Sequence, residues 1–381
     1  MVTRCPTCLE AVTRQTIVWQ APDGSPAGPP PRSGIPGLRW LRDLLGMPDR
    51  TPAEWADWAA GGHRALCPRG HHLPADVLTR RTLTIGLVGE SGSSKSHYIA
   101  ALVQTLQEGH LAALDLQVDM DPATVRRYQT EYYSVLFERK QAIPASRPLK
   151  VLDEATGTQE TRPPLTVVLR NIVTGEAINV CIFDVAGEQL LSEQSQFTWA
   201  RHLAMADGLM FFVDPAVLGQ LPGGPAGDES GRGQTLHVTE SVLDITSTLA
   251  HRGRGLSPDH DLSDVSAVVL LAKADLLEAR ASFPSGVLSP LDYGRETRAT
   301  LDARLRRDSQ AVESFLEDAG GRNLVLSALH KYPGVRFHAV TATGGSAKDG
   351  RYPTVEPRRV LEPLLTILDG RGVVSLAGER R

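Results

Sequence analysis

From Thr82 the chain runs TLTIGLVG, then ESGSSKS, then HYIAALVQTLQEG: an apolar stretch, a loop rich in small residues, and apolar residues at helical spacing. A strand that turns through glycines straight into a helix is the context a phosphate-binding loop requires. Along Gly89, Glu90, Ser91, Gly92, Ser93 and Ser94 the small residues let backbone N–H groups point at phosphate oxygens, and the following helix adds its positive end. Lys95 then supplies a charge for the β and γ phosphates, Ser96 supplies a hydroxyl for Mg, and His97 completes the set of binding residues. The usual pattern has Gly directly before the lysine, and here Ser94 holds that place. Serine can adopt a helix-start conformation, so binding is expected to survive, with its side chain crowding the phosphates or altering turnover.

Two further loops follow apolar runs. INVCIFD ends in Asp184, placed to hold Mg through a water. Gly187 can then donate its N–H to a γ phosphate, and Glu188 can orient or deprotonate an attacking water, although its charge also repels phosphate. A second Mg ligand is expected from the loop before LTVVLRN, where Thr156, Thr158 and Thr161 all lie in reach. Thr161 is preferred because it stands just before Pro163 and Pro164, and Arg162 beside it is a candidate for stabilising charge. SAVVLLA leads into Lys273-Ala274-Asp275. A carboxylate at this strand end accepts both the N1–H and the exocyclic N2–H of guanine, a pair of donors adenine lacks, while Lys273 lays its stem along the base. Ala272 stands where Asn or Thr usually provides a tether. Ala342, in Thr341-Ala342-Thr343, is the expected backbone donor to guanine O6, with SALH at Ser327 as a rival. Asp214 ends FFVD as a site contact or a turn cap.

The strand-like runs LTIGLVG, LTVVLRN, INVCIFDVAG, GLMFFVDP, SAVVLLAKAD and RFHAVTATGG are interspersed with helical stretches at about 236–250, 296–319 and 357–369. This pattern predicts an α/β domain over 83–370, a mainly parallel sheet with helices on both faces. LTVVLRN and INVCIFDVAG should form a hairpin through the turn at 173–176. An insertion at 111–148 should hold an extra strand in LAALDLQVDM and a helix starting at Pro122, and its tail, from Ile143 to Pro164, reads as a loop. The stretch LPGGPAGDESGRGQ reads as a mobile linker. With 381 residues and a formal charge of −4, the chain can bury a large core and has no global attraction for nucleic acid or anionic lipid. No apolar run reaches membrane-span length and MVTRCPTCLE lacks the apolar core of a secretory signal, so a cytoplasmic protein without a membrane span is expected.

Residues 1–75 read as a separate zinc-ribbon-like module with a Pro/Gly-rich insertion. Cys5, Cys8, Cys67 and His71 offer a closed tetrahedral set for structural zinc, with His72 a rival to His71. Such a set leaves no open position for catalysis and would stabilise a segment poor in apolar residues. TPAEWADWAAGG, with Trp55 and Trp58, reads as a short helix lying on this module, and Cys181 as core packing.

On GESGSSKS, DVAGE, FFVDP and AKAD together with CPTC and CPRGH, the chain resembles the Ras-like and translation-factor-like branch of P-loop GTPases. More narrowly it is similar to bacterial double-GTPase proteins of multi-gene systems linked to conflict or signalling, some of which carry an N-terminal zinc ribbon. The resemblance spans 83–370 for the GTPase part and 1–75 for the ribbon; Ser94, Glu188 and Ala272 depart from the common pattern. It implies a P-loop GTPase fold, GTP and GDP as ligands with Mg, structural zinc, hydrolysis of GTP with Lys95, Gly187 and Glu188 as the catalytic set, and an effector or regulatory protein as partner. Dimerisation stays open. Two other readings stand beside it: a nucleotide-binding scaffold that barely hydrolyses, and an ATP-using P-loop enzyme.

Overall fold

The computed structural model describes residues 4–13, 15–29, 57–73, 77, 80–90, 92–120, 122–144, 150–152, 159–161, 164–186, 202–218 and 229–376. Near the N-terminus, β1 (Val18–Gln20), β2 (Arg64–Leu66) and β3 (His72–Leu73) pair as a three-stranded antiparallel sheet. Residues 57–60 are helical, and Trp58 packs edge-on against Trp19 with ring centroids 5.3 Å apart. The expected helix is therefore seen at Trp58, while Trp55 lies outside the described residues.

The apolar runs become the larger sheet. β4 (Arg81–Gly89) is followed by α1 (Lys95–Gln107), a 3-10 turn at His110–Leu114 and β5 (Leu116–Met120). After β5 comes α2 (Pro122–Tyr128), which continues through π-helical turns over Gln129–Glu138. Short strands β6 (Lys150–Leu152) and β7 (Gln159–Thr161) pair antiparallel, so part of the expected loop between the insertion and the next strand is a hairpin. Then come β8 (Leu165–Asn171), β9 (Ala177–Ala186), β10 (Gly208–Val213), α3 (Glu229–Arg254), β11 (Ser266–Leu271), α4 (Arg298–Leu316), α5 (Arg322–Lys331), β12 (Arg336–Ala339) and α6 (Glu362–Gly370). The sheet order is β12-β11-β10-β4-β9-β8-β5. Strands β12, β11, β10, β4 and β9 run parallel, and β8 and β5 extend the sheet by antiparallel pairing. This is an α/β fold with a mostly parallel sheet.

Side chains alternate across a strand, so each apolar run feeds two cores. Leu83, Ile85, Leu87, Val180, Ile182, Met210, Phe212, Val268 and Leu270 meet Tyr98, Ile99 and Leu102 of α1 and Leu364 and Ile367 of α6 on one face. Val88, Cys181, Phe183, Leu209, Phe211, Val213, Val269 and Leu271 meet Val242 and Leu243 of α3 and Leu324 and Val325 of α5 on the other. Cys181 thus packs in the core, as expected.

Three boundaries differ from the sequence reading. α3 begins at Glu229, so ESGRGQ is helix where a linker was expected, although its two glycines disfavour a helix locally. Only the 116–120 half of the expected strand LAALDLQVDM pairs; LAAL forms the 3-10 turn. The helix expected at 357–369 begins only at Glu362, whereas the one expected at 296–319 is seen as α4 with its π-helical continuation to Gly320, whose left-handed φ of 94° precedes α5, the helix that holds SALH. Among the described residues no helix is long and apolar enough to cross a membrane.

Candidate functional site

In the sheet order, the chain visits β9 on one side of β4 and then β10 on the other. Open parallel sheets bind ligands outside the carboxyl ends of their strands where the direction of winding reverses. The loop Gly89 to Ser94 leaves β4 at that point. Gly89 admits no side chain: an added Cβ would stand 2.8 Å from Cβ of Phe212 on β10. Gly92 uses the left-handed conformation, φ 77°. So does Ser94, the N-cap of α1, at φ 70° and ψ 17° with no side-chain capping bond. A left-handed cap is the conformation glycine adopts at least cost, which is the physical sense of the usual Gly before the lysine and corrects the expectation of an ordinary helix start. Ser94→Gly should therefore stabilise the fold by about 1 kcal/mol. A thermal midpoint equal to or below that of the parent would contradict this.

Lys95 is buried, and its ammonium donates to the carbonyls of Gly89 at 2.8 Å and Glu90 at 2.7 Å and to Ser93 Oγ at 3.3 Å. An ammonium has three protons, so the loop closes on its own lysine. Glu90 also accepts a hydrogen bond from Thr239 Oγ1 of α3 at 3.1 Å, which ties the loop to the helix covering the opposite core. Ser96, at the first turn of α1, donates from Oγ to Asp184 Oδ2 at 2.9 Å. The β4–β9 register, Leu87 opposite Asp184, is what sets the two side by side. The two expected Mg ligands thus meet across the sheet, a hydroxyl and a carboxylate of the hard oxygen type that Mg takes.

Tyr132, within the π-helical continuation of α2, lies close enough to Asp184 to feel its charge. Burial first, and that carboxylate second, push its phenol up to about 12. The insertion thus flanks the Ser96–Asp184 pair, a placement no motif indicated. His97 sits on α1 with its Nε2 accepting from the Ile143 N–H at 3.1 Å and within 3.3 Å of the Tyr352 hydroxyl. Burial, and then the charge of Lys273, lower its pKa from 6.5 to about 4, and burial lowers that of His338 to about 3. Because both folded values lie below 6.5, the unfolded chain takes up protons first as pH falls. The stability these groups contribute is complete above pH 6.5 and is lost progressively below it, down through about pH 4 for His97. His97→Gln should make the fall of the urea midpoint across that window shallower; an unchanged slope would rule out a neutral His97 as a contributor.

At the ends of β10 and β11, Asp214 and Lys273 form an ion pair at 2.5 Å, and Asp214 Oδ1 also accepts the Ala216 N–H at 3.0 Å. Asp214 thus caps a turn, as one of its two readings had it, and ties the end of β10 to Lys273 at the end of β11. Lys273 is left-handed at φ 48° and is followed by a 3-10 turn, Ala274–Leu277, containing Asp275. Ala274 donates its N–H to Val340 at 3.1 Å, which brings the loop with buried Ala342 against the Asp275 turn. Asp275 Oδ1 is sealed from solvent and meets no donor among the described residues. Ser327, the rival to Ala342, belongs to helix α5.

Several expected site residues lie outside the described residues: Ser91, Thr156, Thr158, Arg162, Gly187 and Glu188. Thr161 is in β7, opposite Lys150.

At the other end of the chain Cys5, Cys8, Cys67 and His71 place one ligand atom each within 4.8 Å of one another. Cys8 and Cys67 sulfurs are 3.8 Å apart, and Cys67 Sγ is 3.3 Å from His71 Nδ1. Tetrahedral zinc with bonds of about 2.3 Å to sulfur and about 2.0 Å to nitrogen asks for about 3.8 and 3.5 Å. The donor set fits. The Arg69 N–H also reaches Cys67 Sγ at 3.3 Å, an outer-shell hydrogen bond of the kind that orients thiolate ligands. His71, and not His72, joins the cluster; His72 is exposed in β3. Burial pushes the Cys5 and Cys8 thiols up, so they would ionise only with a cation to compensate.

No protein-family model and no curated protein matches the chain. Among solved structures it is similar to the S. cerevisiae Ski7 GTPase-like domain bound to GTP, with a TM-score of 0.34 and 13% identity over 76% of this chain and 50% of that one. It is also similar to sup35 complexed with GDP, with a TM-score of 0.25 and 13% identity over 73% of this chain and 41% of that one. The chain thus spans about half the length, or less, of these structures, and likeness at this level assigns no family.

Proposed function

We propose that the chain is a guanine-nucleotide-binding switch that takes GTP with Mg and hydrolyses it to GDP, changing its hold on a partner protein. The observation that carries this reading is the convergence of five separate sequence segments on the carboxyl ends of neighbouring parallel strands. These are the 89–96 loop, Asp184, the Asp214–Lys273 pair with Asp275, and the 340–342 loop. In this reading the amides of the loop and Lys95 hold the phosphates, Ser96 and Asp184 hold Mg, and Asp275 accepts the two guanine donors. The sealed acceptor Asp275 Oδ1 supports the last assignment, because an unsatisfied buried acceptor costs about 1–3 kcal/mol that a ligand donor would relieve. Thr161 as second Mg ligand, the Ala342 N–H on guanine O6, His97 beside the nucleotide, and Gly187 and Glu188 acting on the γ phosphate and the attacking water complete the proposal. So does structural zinc in the Cys5, Cys8, Cys67 and His71 cluster, within a module over 1–75 that precedes a nucleotide domain over 83–370. The narrower kinship with bacterial double-GTPase proteins, the cytoplasmic location and a regulatory or effector partner are parts of the same proposal.

In this reading phosphate oxygens would share or take over the Lys95 ammonium, which in the structure donates to the Gly89 and Glu90 carbonyls and Ser93 Oγ. Calorimetric titration of GTP, GDP and ATP, with and without Mg, tests loop, metal and base pocket together. GTP should bind more tightly with Mg, and ATP more weakly than GTP. Asp275→Asn should reduce the preference for GTP over ATP by about tenfold to a hundredfold, the loss of one or two base-edge hydrogen bonds. Equal affinity for GTP and ATP in the parent protein would replace the guanine reading with the ATP one. Phosphate release over many turnovers separates a hydrolysing switch from a scaffold.

A further inference from the structure

The cysteine cluster and the Ser96–Asp184 pair are joined by a short run of buried contacts. Thr7 lies inside the Cys5–Cys8 knuckle and is itself buried. Its carbonyl is 3.0 Å from His202 Nε2. A carbonyl only accepts, so the imidazole carries its proton on Nε2 and donates. His202 is buried as well, and its ring centroid lies 4.6 Å from that of Phe183, the residue before Asp184. Asp184 in turn accepts from Ser96 at 2.9 Å.

The chain just beyond His202 is anchored independently of the cysteines. Arg254 donates to the carbonyls of Ala204 and, at 2.6 Å, Ala206, and Asp207 accepts the Thr84 N–H at 2.9 Å. His202 therefore sits between a fixed point on the large sheet and a carbonyl whose position depends on the knuckle. The knuckle is shaped by two backbone bonds, Cys5 N–H to Glu10 and Leu9 N–H to Cys5, both 2.8 Å. A metal bound to Cys5 and Cys8 would lock it. When the knuckle relaxes, a buried imidazole donor loses its acceptor, a state proteins avoid by moving the group, and the ring that would move is the one packed on Phe183.

We propose that the cysteine-bearing sheet clamps the end of β9 through Thr7, His202 and Phe183, so that metal occupancy at Cys5, Cys8, Cys67 and His71 and nucleotide binding at Ser96 and Asp184 form one linked equilibrium. The nucleotide half rests on the function proposed above; the clamp itself does not. Linkage is reciprocal. Any factor by which zinc tightens nucleotide binding is the factor by which nucleotide tightens zinc.

The test is hydrogen exchange on the full chain, zinc-loaded and chelator-stripped, with no nucleotide present. Stripping should speed exchange at 181–186 and 202–204 by about tenfold, within the usual range of coupling between sites, and leave β11 and β12 unchanged. Zinc-loaded His202→Phe, which keeps a ring but loses the donor, should exchange at 181–186 like the stripped parent, and His202→Gln, which restores a donor, should resemble the loaded parent. Equal exchange at 181–186 in loaded and stripped parent overturns the clamp, whatever the variants do; so does a purified protein that neither contains nor takes up zinc. A second arm measures Mg-GTP affinity with and without zinc. A change of about tenfold supports the linkage, and equal affinities overturn it. If the loaded protein binds no guanine nucleotide at all, the proposed function falls and the linked equilibrium with it, while the exchange arm still decides the clamp.

Discussion

Lys95→Ala should lower the affinity for Mg-GTP by at least about a hundredfold. Truncating one partner of a buried, hydrogen-bonded charge pair costs about 2–5 kcal/mol, and each 1.4 kcal/mol is a factor of ten. The structure adds a second effect. Lys95 also holds the Gly89 and Glu90 carbonyls, so alanine leaves these acceptors without their ammonium and the loop loses that stabilisation. The variant should therefore melt lower than the parent as well as bind less. Affinity is read by calorimetry and folding by circular dichroism on the same sample. Parent-like Mg-GTP affinity in a folded Lys95→Ala protein would remove the phosphate-loop assignment.

The second large effect is expected at the other end of the chain. Of the buried residues forming the small core around β1–β3, namely Cys5, Cys8, Val12, Ile17, Ala65, Cys67, Leu73 and Val77, three are the clustered cysteines themselves. That leaves five buried apolar side chains in this core, with Trp19 packed against them and Trp58 against Trp19, too few among the described residues to offset the entropy of ordering the sheet. Structural zinc in small modules contributes on the order of 10–16 kcal/mol of apparent binding free energy at neutral pH. Chelation, or Cys67→Ser, should thus unfold this sheet while the seven-stranded sheet persists. The purified protein should contain close to one zinc per chain, with Cys5, Cys8 and Cys67 unreactive toward thiol reagents until the metal is stripped. Full thiol reactivity without a chelator, and no zinc by elemental analysis, would sink the metal assignment.

Much of this architecture was legible because its signals are local. Strand, glycine turn and helix around Lys95 are contiguous, and the strands alternate in a way that only burial on two faces explains. The cysteine pattern likewise led to four atoms that the fold brings together across more than 60 residues. What escaped the sequence depends on tertiary contact. Nothing in YQTEYYSVLFE marks Tyr132 as a neighbour of Asp184, since a tyrosine at helical spacing reads as core. The helical start at Glu229 hides behind glycines that disfavour a helix locally. Ser94 read as a departure from a pattern, but its meaning is conformational and needed the backbone angle. His202 and Thr7 carry no motif at all; only the packing of the N-terminal knuckle on β9 makes them a pair. Asp214 was the intermediate case, for it follows one apolar run as Lys273 follows another, and adjacent parallel strands with matched ends imply that such residues meet.

The strap between the insertion and the C-terminal region bears on the order in which the molecule is made. Lys140 donates to the Pro353 carbonyl at 3.0 Å across a sequence separation of 213, the Tyr352 N–H bonds to Lys140, and the Ala142 N–H bonds to Gly350. The Ile143 bond to His97 lies next to these ties. Contacts this distant form only after the intervening chain has been synthesised and closed into a large loop. During translation, then, α1 and the insertion emerge well before the segment that fastens them. A ribosome-bound chain ending before residue 350 should lack this strap however well β4 and α1 have already formed.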